Sequence, residues 1–389
     1  MKIALDVQPM LSRNKTGIGY YTEQIIRSLL KNTTLDYVLN FFSMRDTEHK
    51  FQKLQDLMQP PCFPQNGNIT LSHNKYISHS AHKLIHSFAP LPYRMFHNNN
   101  ADIYHFFNFI VPTFVPNKVV LTVHDLVFRD YPETVNKRTL FFLRKNFKKS
   151  LKRADAIVTI SEFTKERLQH YYNVTAPITV IPCGVDLERF TPIHKRQVPS
   201  LESIMQKYNI QRDYLLYIGT IEPRKNLERL INAYVLFTKE HPNPPQLVLG
   251  GGNGWRNENI YSAIPSTGEN VIITGYLDED EIPILMRGAV AFCFPSIYEG
   301  FGMPILEAMA CGTPVLAANE ASLPEVAGDS AFLVNPFDVK DIAYGLSQIC
   351  KHGDYFAQKG LARAQQFSWD KSALKLQELY SIILDTNAQ

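Results

Sequence analysis

Short apolar runs recur along the whole chain and alternate with stretches in which apolar residues return every three or four positions. A buried parallel strand reads as such a run, and an amphipathic helix as the longer period. In the first half the runs predict strands at Ile3–Val7, Ile103–Phe106, Val119–Val123, Ala156–Ile160 and Ile178–Ile181. In the second half they predict strands at Tyr214–Ile218, Gln246–Leu249, Val271–Ile273, Ala289–Phe294, Pro314–Ala317 and Ala331–Leu333. Helical patterns fall between them, at Gly19–Leu30, Leu227–Thr238 and Asp280–Arg287, with a last one at Ser372–Leu384. Regular alternation of this kind predicts an α/β protein with one open parallel sheet in each half.

Length and charge sharpen that division. The 389 residues exceed the roughly 250–300 at which a single core stops growing. Residues 1–190 hold 24 Lys/Arg against 15 Asp/Glu, whereas residues 191–389 hold 16 against 22. The sign changes at IPCGVDLERFTP (Ile181–Pro192), whose Pro, Gly and Asp punctuate the chain. Five scattered cysteines, Cys62, Cys183, Cys293, Cys311 and Cys350, form no C-x-x-C and predict reduced thiols in a cytoplasmic protein. Asp6 interrupts the apolar N-terminus, which reads as a first strand rather than a signal peptide. No uninterrupted apolar stretch approaches the ~18 residues of a membrane span.

The segment EGFGMPILEAMACGTPV (Glu299–Val315) carries the most chemistry. Glu299 and Glu307 flank Gly300, Gly302 and then Pro304, expected at the first helical position, where its missing N–H costs nothing. Free amides at a helix start favour an anion, and carboxylates accept from hydroxyls, a combination suited to a sugar nucleotide. In YIGTIEPRKNLERLI (Tyr217–Ile231), Arg224 and Lys225 follow a strand, at the edge where open α/β sheets bind ligands. Cations oppose the dipole of a helix start, so a ligand role, holding a pyrophosphate, explains them better than a solvated surface. Arg224→Ala is expected to lower turnover with little effect on folding.

These motifs resemble those of the family 4 retaining glycosyltransferases, strongly over Tyr214–Pro336 and more loosely over Met1–Leu30 and Lys118–Pro192. The resemblance implies the GT-B fold, two Rossmann-like domains facing each other across a cleft. Residues 1–187 would form the acceptor-side domain, 188–370 the nucleotide-sugar domain, and a helix within 371–389 would pack back on the first. It implies that Glu299, Gly300, Phe301 and Gly302 face sugar and diphosphate and that Glu307 holds the ribose. It also implies that Gly17 and Gly19 of KTGIGYYTEQI close over phosphate, that His124 of THDLVF contacts the donor sugar, and that Tyr276 and Leu277 pack on the base. Catalytic roles fall to His124, Arg224, Lys225 and Glu299. Asp125 reads equally as a cap for the following segment, and Ser161 as an N-cap.

No metal or other cofactor is expected, the nucleotide sugar being a substrate. Asp278 and Asp280 spell D-x-D but precede a helix, where acids are favourable without a ligand. LGGGNGW (Leu249–Trp255) and Lys15–Tyr21 both fail G-x-G-x-x-G, which speaks against a nicotinamide enzyme. Residues 44–100 fit the family poorly. Their His79, His82 and His86 imitate a metal-binding helix face, yet the segment reads as a mobile acceptor-side loop. Asn136–Arg153 holds eight Lys/Arg and no acid, an amphipathic helix suited either to plain solvation or to anionic lipid.

The expected reaction is hexose transfer, mannose from GDP-mannose by general resemblance to bacterial mannosyltransferases, onto a glycan or lipid-linked glycan of the cell surface. A UDP-glucose or other UDP-sugar enzyme is the main alternative. A GT-B epimerase or phosphorylase and a non-catalytic glycan-binding homologue are others. Nucleic acid is not an expected partner. The expected location is cytoplasmic, on the inner face of the plasma membrane.

Overall fold

The computed structural model describes residues 1–13, 15–31, 35–44, 46–58, 68–89, 91–192, 199–254, 258–264 and 270–385. Cys62, Pro90, Trp255 and the His86 side chain lie outside that description. The chain forms two compact units, Met1–Gly184 with Trp369–Gln389, and Val185–Ser368.

Among the described residues the first unit holds seven parallel strands: β1 (Lys2–Asp6), β2 (Asp36–Phe42), β3 (Ile69–Asn74), β4 (Ile103–Phe106), β5 (Lys118–Val123), β6 (Ala156–Thr159) and β7 (Ile178–Val180). Their order is β3-β2-β1-β4-β5-β6-β7, so the winding reverses between β1 and β4. The second unit holds six: β8 (Tyr214–Ile218), β9 (Gln246–Gly250), β10 (Val271–Gly275), β11 (Ala291–Phe294), β12 (Val315–Ala318) and β13 (Phe332–Val334). Their order is β10-β9-β8-β11-β12-β13, reversing between β8 and β11. Such reversals open a crevice at the carboxyl ends of the strands.

Every strand that the apolar runs predict is present, with ends displaced by at most two residues and not at all for β4 and β8. Two were missed. In β2 the central Asn40 breaks the apolar run, but it is buried and satisfied, donating to the Tyr93 hydroxyl (3.1 Å) and accepting from Asn99 (2.8 Å). The edge strand β3, ITLSHN, is mostly half-buried and so carries no continuous apolar signal. Residues 44–100 are therefore not the loop expected. They contain β3 and helices Thr47–Leu57 and His79–Phe88, the latter capped by Ser78, whose hydroxyl accepts from the Ala81 amide.

The last helix, Trp369–Asp385, belongs to the first unit, where it packs on helix Gly17–Lys31. Trp369 meets Tyr21 edge-on (centroids 5.6 Å) and Ser372 donates to the Pro182 carbonyl (2.7 Å). The buried His105 in β4 lies 2.6 Å from the Tyr380 hydroxyl through Nδ1 and 2.8 Å from the Thr122 hydroxyl through Nε2. Burial holds this imidazole neutral, its pKa pushed down to about 3. Among the described residues no helix is long and apolar enough to cross a membrane.

Tyr380→Phe removes one of the two partners of His105 and leaves a buried nitrogen unpaired. A loss of about 1–3 kcal/mol is expected in urea denaturation; an unchanged midpoint would show that His105 does not tie the helix down.

Candidate active site

The reversal between β8 and β11 is where the charged residues meet. After β8 the chain turns through a short 3-10 segment, Pro223–Lys225, and Asn226 takes the left-handed conformation (φ 62°) before helix Leu227–Glu240. The buried Asn226 amide donates to the carbonyls of Pro295 (3.0 Å) and Pro336 (2.7 Å), and the Ile297 amide donates to the Arg224 carbonyl (3.0 Å). The Arg-Lys turn is thereby stitched to the loop that follows β11. That loop carries Glu299, whose carbonyl accepts from the buried Ser322 hydroxyl (2.9 Å).

Lys225 Nζ lies 2.5 Å from Glu299 Oε1, and Arg224 Nη1 lies 2.9 Å from Glu299 Oε2. Arg224 also donates to the Tyr298 carbonyl (2.7 Å) and, through Nη2, to Glu222 Oε1 (2.7 Å). Glu222, Lys225 and Glu299 are all buried. Burial alone would raise the Glu299 pKa, but Arg224 and Lys225 outweigh it and hold the carboxyl at about 2. Lys225 is drawn below its usual value by burial and by Arg224, against the pull of Glu299 and Glu222. Glu222 had no motif to mark it in the sequence; only the fold gives it a partner.

Helix Met303–Ala310 begins beyond Gly302, which is left-handed (φ 96°). Pro304 occupies its second position rather than the first, where its missing N–H is equally harmless. Phe301 is buried, its ring set edge-on to Phe367 (5.8 Å), so toward a ligand it presents backbone only. Burial raises the Glu307 pKa to about 7, with Arg189 opposing and Asp186 adding to the rise. Arg189 was another residue that sequence reasoning passed over.

On the neighbouring strand the loop after β9 is zipped to the loop after β8. Gly219 donates to Gly250 (2.9 Å) and Ile221 to Gly252 (3.0 Å). A Cβ on Gly251 (φ 144°) would sit 1.9 Å from the Gly219 carbonyl oxygen, so only glycine allows this approach. Tyr276 is exposed, whereas Leu277 is buried beneath Gly250. Asp278 pairs with Lys207 (3.1 Å), which also pairs with the buried Glu281 (2.6 Å), and Asp280 stands just before helix Glu281–Gly288 with no capping hydrogen bond from its side chain.

In the first unit His124 follows β5. Its Nε2 lies 2.6 Å from the Phe107 carbonyl, and its ring is set edge-on to Tyr21 (4.9 Å) and Phe109 (5.9 Å). Burial lowers its pKa to about 4, so the neutral ring donates to Phe107 and keeps Nδ1 as an acceptor. Asp125 accepts from the Val127 amide (3.1 Å) and Ser161 from Thr164 (3.1 Å), both closing the segments that follow. Gly17 opens helix Gly17–Lys31 and is exposed. Gly19 lies within it, where a Cβ would come 2.9 Å from the Pro9 carbonyl.

A cavity of about 40 Å³ lies at this unit's own reversal, between β1 and β4. Asp6, His79, Lys83, Asn108, Asn146 and Arg153 supply its polar lining. Burial lifts the Asp6 pKa to about 6, against the Gln8 amide and Lys83. His82 also lines it, packed between Phe42 (4.5 Å) and Phe96 (4.7 Å). Among the described residues no three His, Cys, Asp or Glu side chains are grouped to hold a metal ion.

These environments correct one expectation. Arg224→Ala is expected to disturb folding, because it removes the ion-pair partner of Glu222 and one of the two partners of Glu299. Breaking a fully buried pair costs about 3–5 kcal/mol. With the Arg224 side chain 21% exposed, a loss of about 2 kcal/mol is expected in urea, and less for Arg224→Lys.

The two glutamates also predict opposite pH dependences. Glu299, held at about 2 against 4.5, contributes stability that is present above pH 4.5 and lost as pH falls toward 2. Glu307, raised to about 7 from 4.5, contributes stability that is lost as pH climbs from 4.5 through 7. Thermal melts of Glu307→Gln should fall less than wild type between pH 5 and 8; parallel curves would remove that role.

Residues 17–189 match the family described as Glycosyltransferase Family 4, and residues 201–366 match Glycosyl transferases group 1. O-antigen chain mannosyltransferase B of Escherichia coli is 30% identical over 396 aligned residues, 98% of this chain and 100% of that one. Sucrose-phosphate synthase from Thermosynechococcus elongatus superposes with a TM-score of 0.71 at 20% identity, over 99% of this chain and 100% of that one. Anabaena HepE, in complex with UDP and glucose, does so with a TM-score of 0.69 at 17% identity, over 98% and 99%. Such structural likeness establishes the GT-B fold. The profile matches and the full-length relative establish more: the chain belongs to glycosyltransferase family 4.

Proposed function

We propose that this glycosyltransferase moves a hexose, mannose from GDP-mannose, with retention of configuration onto a glycan or lipid-linked glycan of the cell surface. The observation that carries the reading is the meeting of Arg224, Lys225 and Glu299 at the β8/β11 reversal. Two cations there suit a diphosphate, and they would offset charge as it develops on the leaving nucleoside diphosphate. Glu299 then positions the sugar and Glu307 accepts from the ribose hydroxyls. The exposed Tyr276 lies against the base, the Leu277 side chain being buried beneath Gly250 instead, and the amides of Gly300, Phe301 and Gly302 face phosphate.

In the transfer step the acceptor oxygen bonds to the anomeric carbon on the face from which the diphosphate departs. The carbon–oxygen bond to phosphate breaks, and the departing phosphate oxygen takes the acceptor proton. No protein nucleophile is needed. By the same resemblance His124, neutral, is assigned to the donor sugar, and Gly17 and Gly19 to phosphate. Acceptor hydroxyls are assigned to the first unit, where Asp6, Asn108 and Asn146 line the β1/β4 cavity.

Mannose is favoured because the full-length Escherichia coli relative is a mannosyltransferase. UDP-glucose is the second reading, supported by the UDP and glucose seen with HepE. Catalysis is proposed to need no metal ion.

A thermal-shift panel tests the donor. At about 100 times Kd a ligand adds ~2.7 kcal/mol to stability, so GDP and GDP-mannose should raise Tm more than UDP, ADP and UDP-glucose. A larger shift with UDP-glucose would transfer the assignment to the second reading. Turnover that vanishes in chelator and returns with a divalent cation would contradict metal independence.

A further inference from the structure

His124 in the first unit is held in more ways than packing alone requires. Its ring stands edge-on to Tyr21 (centroids 4.9 Å) and edge-on to Phe109 (5.9 Å). Its Nε2 lies 2.6 Å from the Phe107 carbonyl. A carbonyl oxygen can only accept, so the proton sits on Nε2 and Nδ1 has none. In that tautomer the ring can receive a hydrogen bond at Nδ1 but cannot give one there.

The supports are themselves fixed. Tyr21 is buried and meets Trp369 of the last helix edge-on (5.6 Å). The Phe107 ring stacks on His105 (3.9 Å), which lies between the hydroxyls of Tyr380 (2.6 Å) and Thr122 (2.8 Å). Phe109 is left-handed (φ 54°), an uncommon backbone for so bulky a residue. Strain of that kind persists where the surroundings over-determine it, and it gathers at ligand sites. Two aromatic rings thus fix the plane of the imidazole, and one carbonyl fixes its tautomer.

We propose that Tyr21 and Phe107 are positioning residues, which hold His124 so that Nδ1 receives a hydrogen bond from a hydroxyl of the donor sugar. This rests on the assignment of His124 to that sugar, and adds which way the hydrogen bond runs and what sets it. The arrangement places a demand on the sugar. A hydroxyl can donate to Nδ1, whereas a fluorine in its place carries no proton and sets one acceptor against another. Tyr21 touches no reacting atom; it acts through His124, and its ring rather than its hydroxyl makes the contact.

The experiment is steady-state turnover of the full chain on the sugar nucleotide that the thermal-shift panel favours, and on its deoxyfluoro analogues with one hexose hydroxyl replaced at a time. His124→Ala should lower turnover about 100-fold. At one hexose position the wild type should reject fluorine about 100-fold more strongly than His124→Ala does. Tyr21→Leu should lower kcat about ten-fold and relax that discrimination. It should leave binding of the nucleoside diphosphate alone unchanged, a readout that general loss of structure would move. Tyr21→Phe, which keeps the ring, should behave as wild type. Combined with His124→Ala, Tyr21→Leu should add nothing, because both act through one group. Wild-type turnover of His124→Ala would remove the donor-sugar assignment, and this proposal with it. A slow His124→Ala with Tyr21→Leu equally costly in both backgrounds would overturn the positioning role alone. Nitrogen-15 NMR of the wild-type imidazoles needs no Tyr21 variant to fold. There the proton of His124 should be found on Nε2, and a proton on Nδ1 would overturn the proposal.

Discussion

A buried carboxylate stays ionised only if counter-charge reaches it, and Glu299 has two cations within ion-pair distance. Taking three charged groups out of water is costly, so the arrangement persists only because other contacts hold the partners in register. Asn226 fastens the Arg-Lys turn to the loops after β11 and β13, and Ser322 holds the Glu299 backbone. Glu222 then restrains Arg224 from the other side. The cluster is a tension between burial and pairing that pairing wins, and the low Glu299 pKa is its signature.

The first unit settles the same contest the other way. Asp6 ends the strand at its β1/β4 reversal, as the Arg-Lys turn follows the strand at the β8/β11 reversal. Lys83 draws its pKa down, but burial prevails and lifts the carboxyl to about 6. Similar sheets thus present different chemistry at equivalent places. The second unit offers fixed opposite charges suited to a diphosphate. The first offers a carboxyl near its titration point among amides and aromatic rings, an environment suited to hydroxyl groups.

The buried imidazoles illustrate how far tertiary surroundings can silence a side chain. His105 and His124 are both neutral far below physiological pH. One ties the last helix to its unit, and the other is anchored to a backbone carbonyl. His79 and His82, whose spacing imitates a metal-binding face, lie on a helix after all. Their rings pack against Phe42, and burial presses His79 well below its usual pKa.

Much of the architecture was already written in the order of residues. Buried parallel strands need continuous apolar runs, so eleven of the thirteen were legible one by one. Strands β2 and β3 were not, because one hides a satisfied asparagine and the other lies on the sheet edge. The motifs around Arg224 and Glu299 marked two places where charged groups gather, each just after a strand. What the order of residues left open was who meets whom. That Glu307 answers to Arg189 and Asp186 depends on the packing of its helix, and that Glu299 meets both cations depends on parallel pairing of β8 with β11. Residues 74 positions apart come within 2.5 Å there, a proximity that local pattern cannot encode.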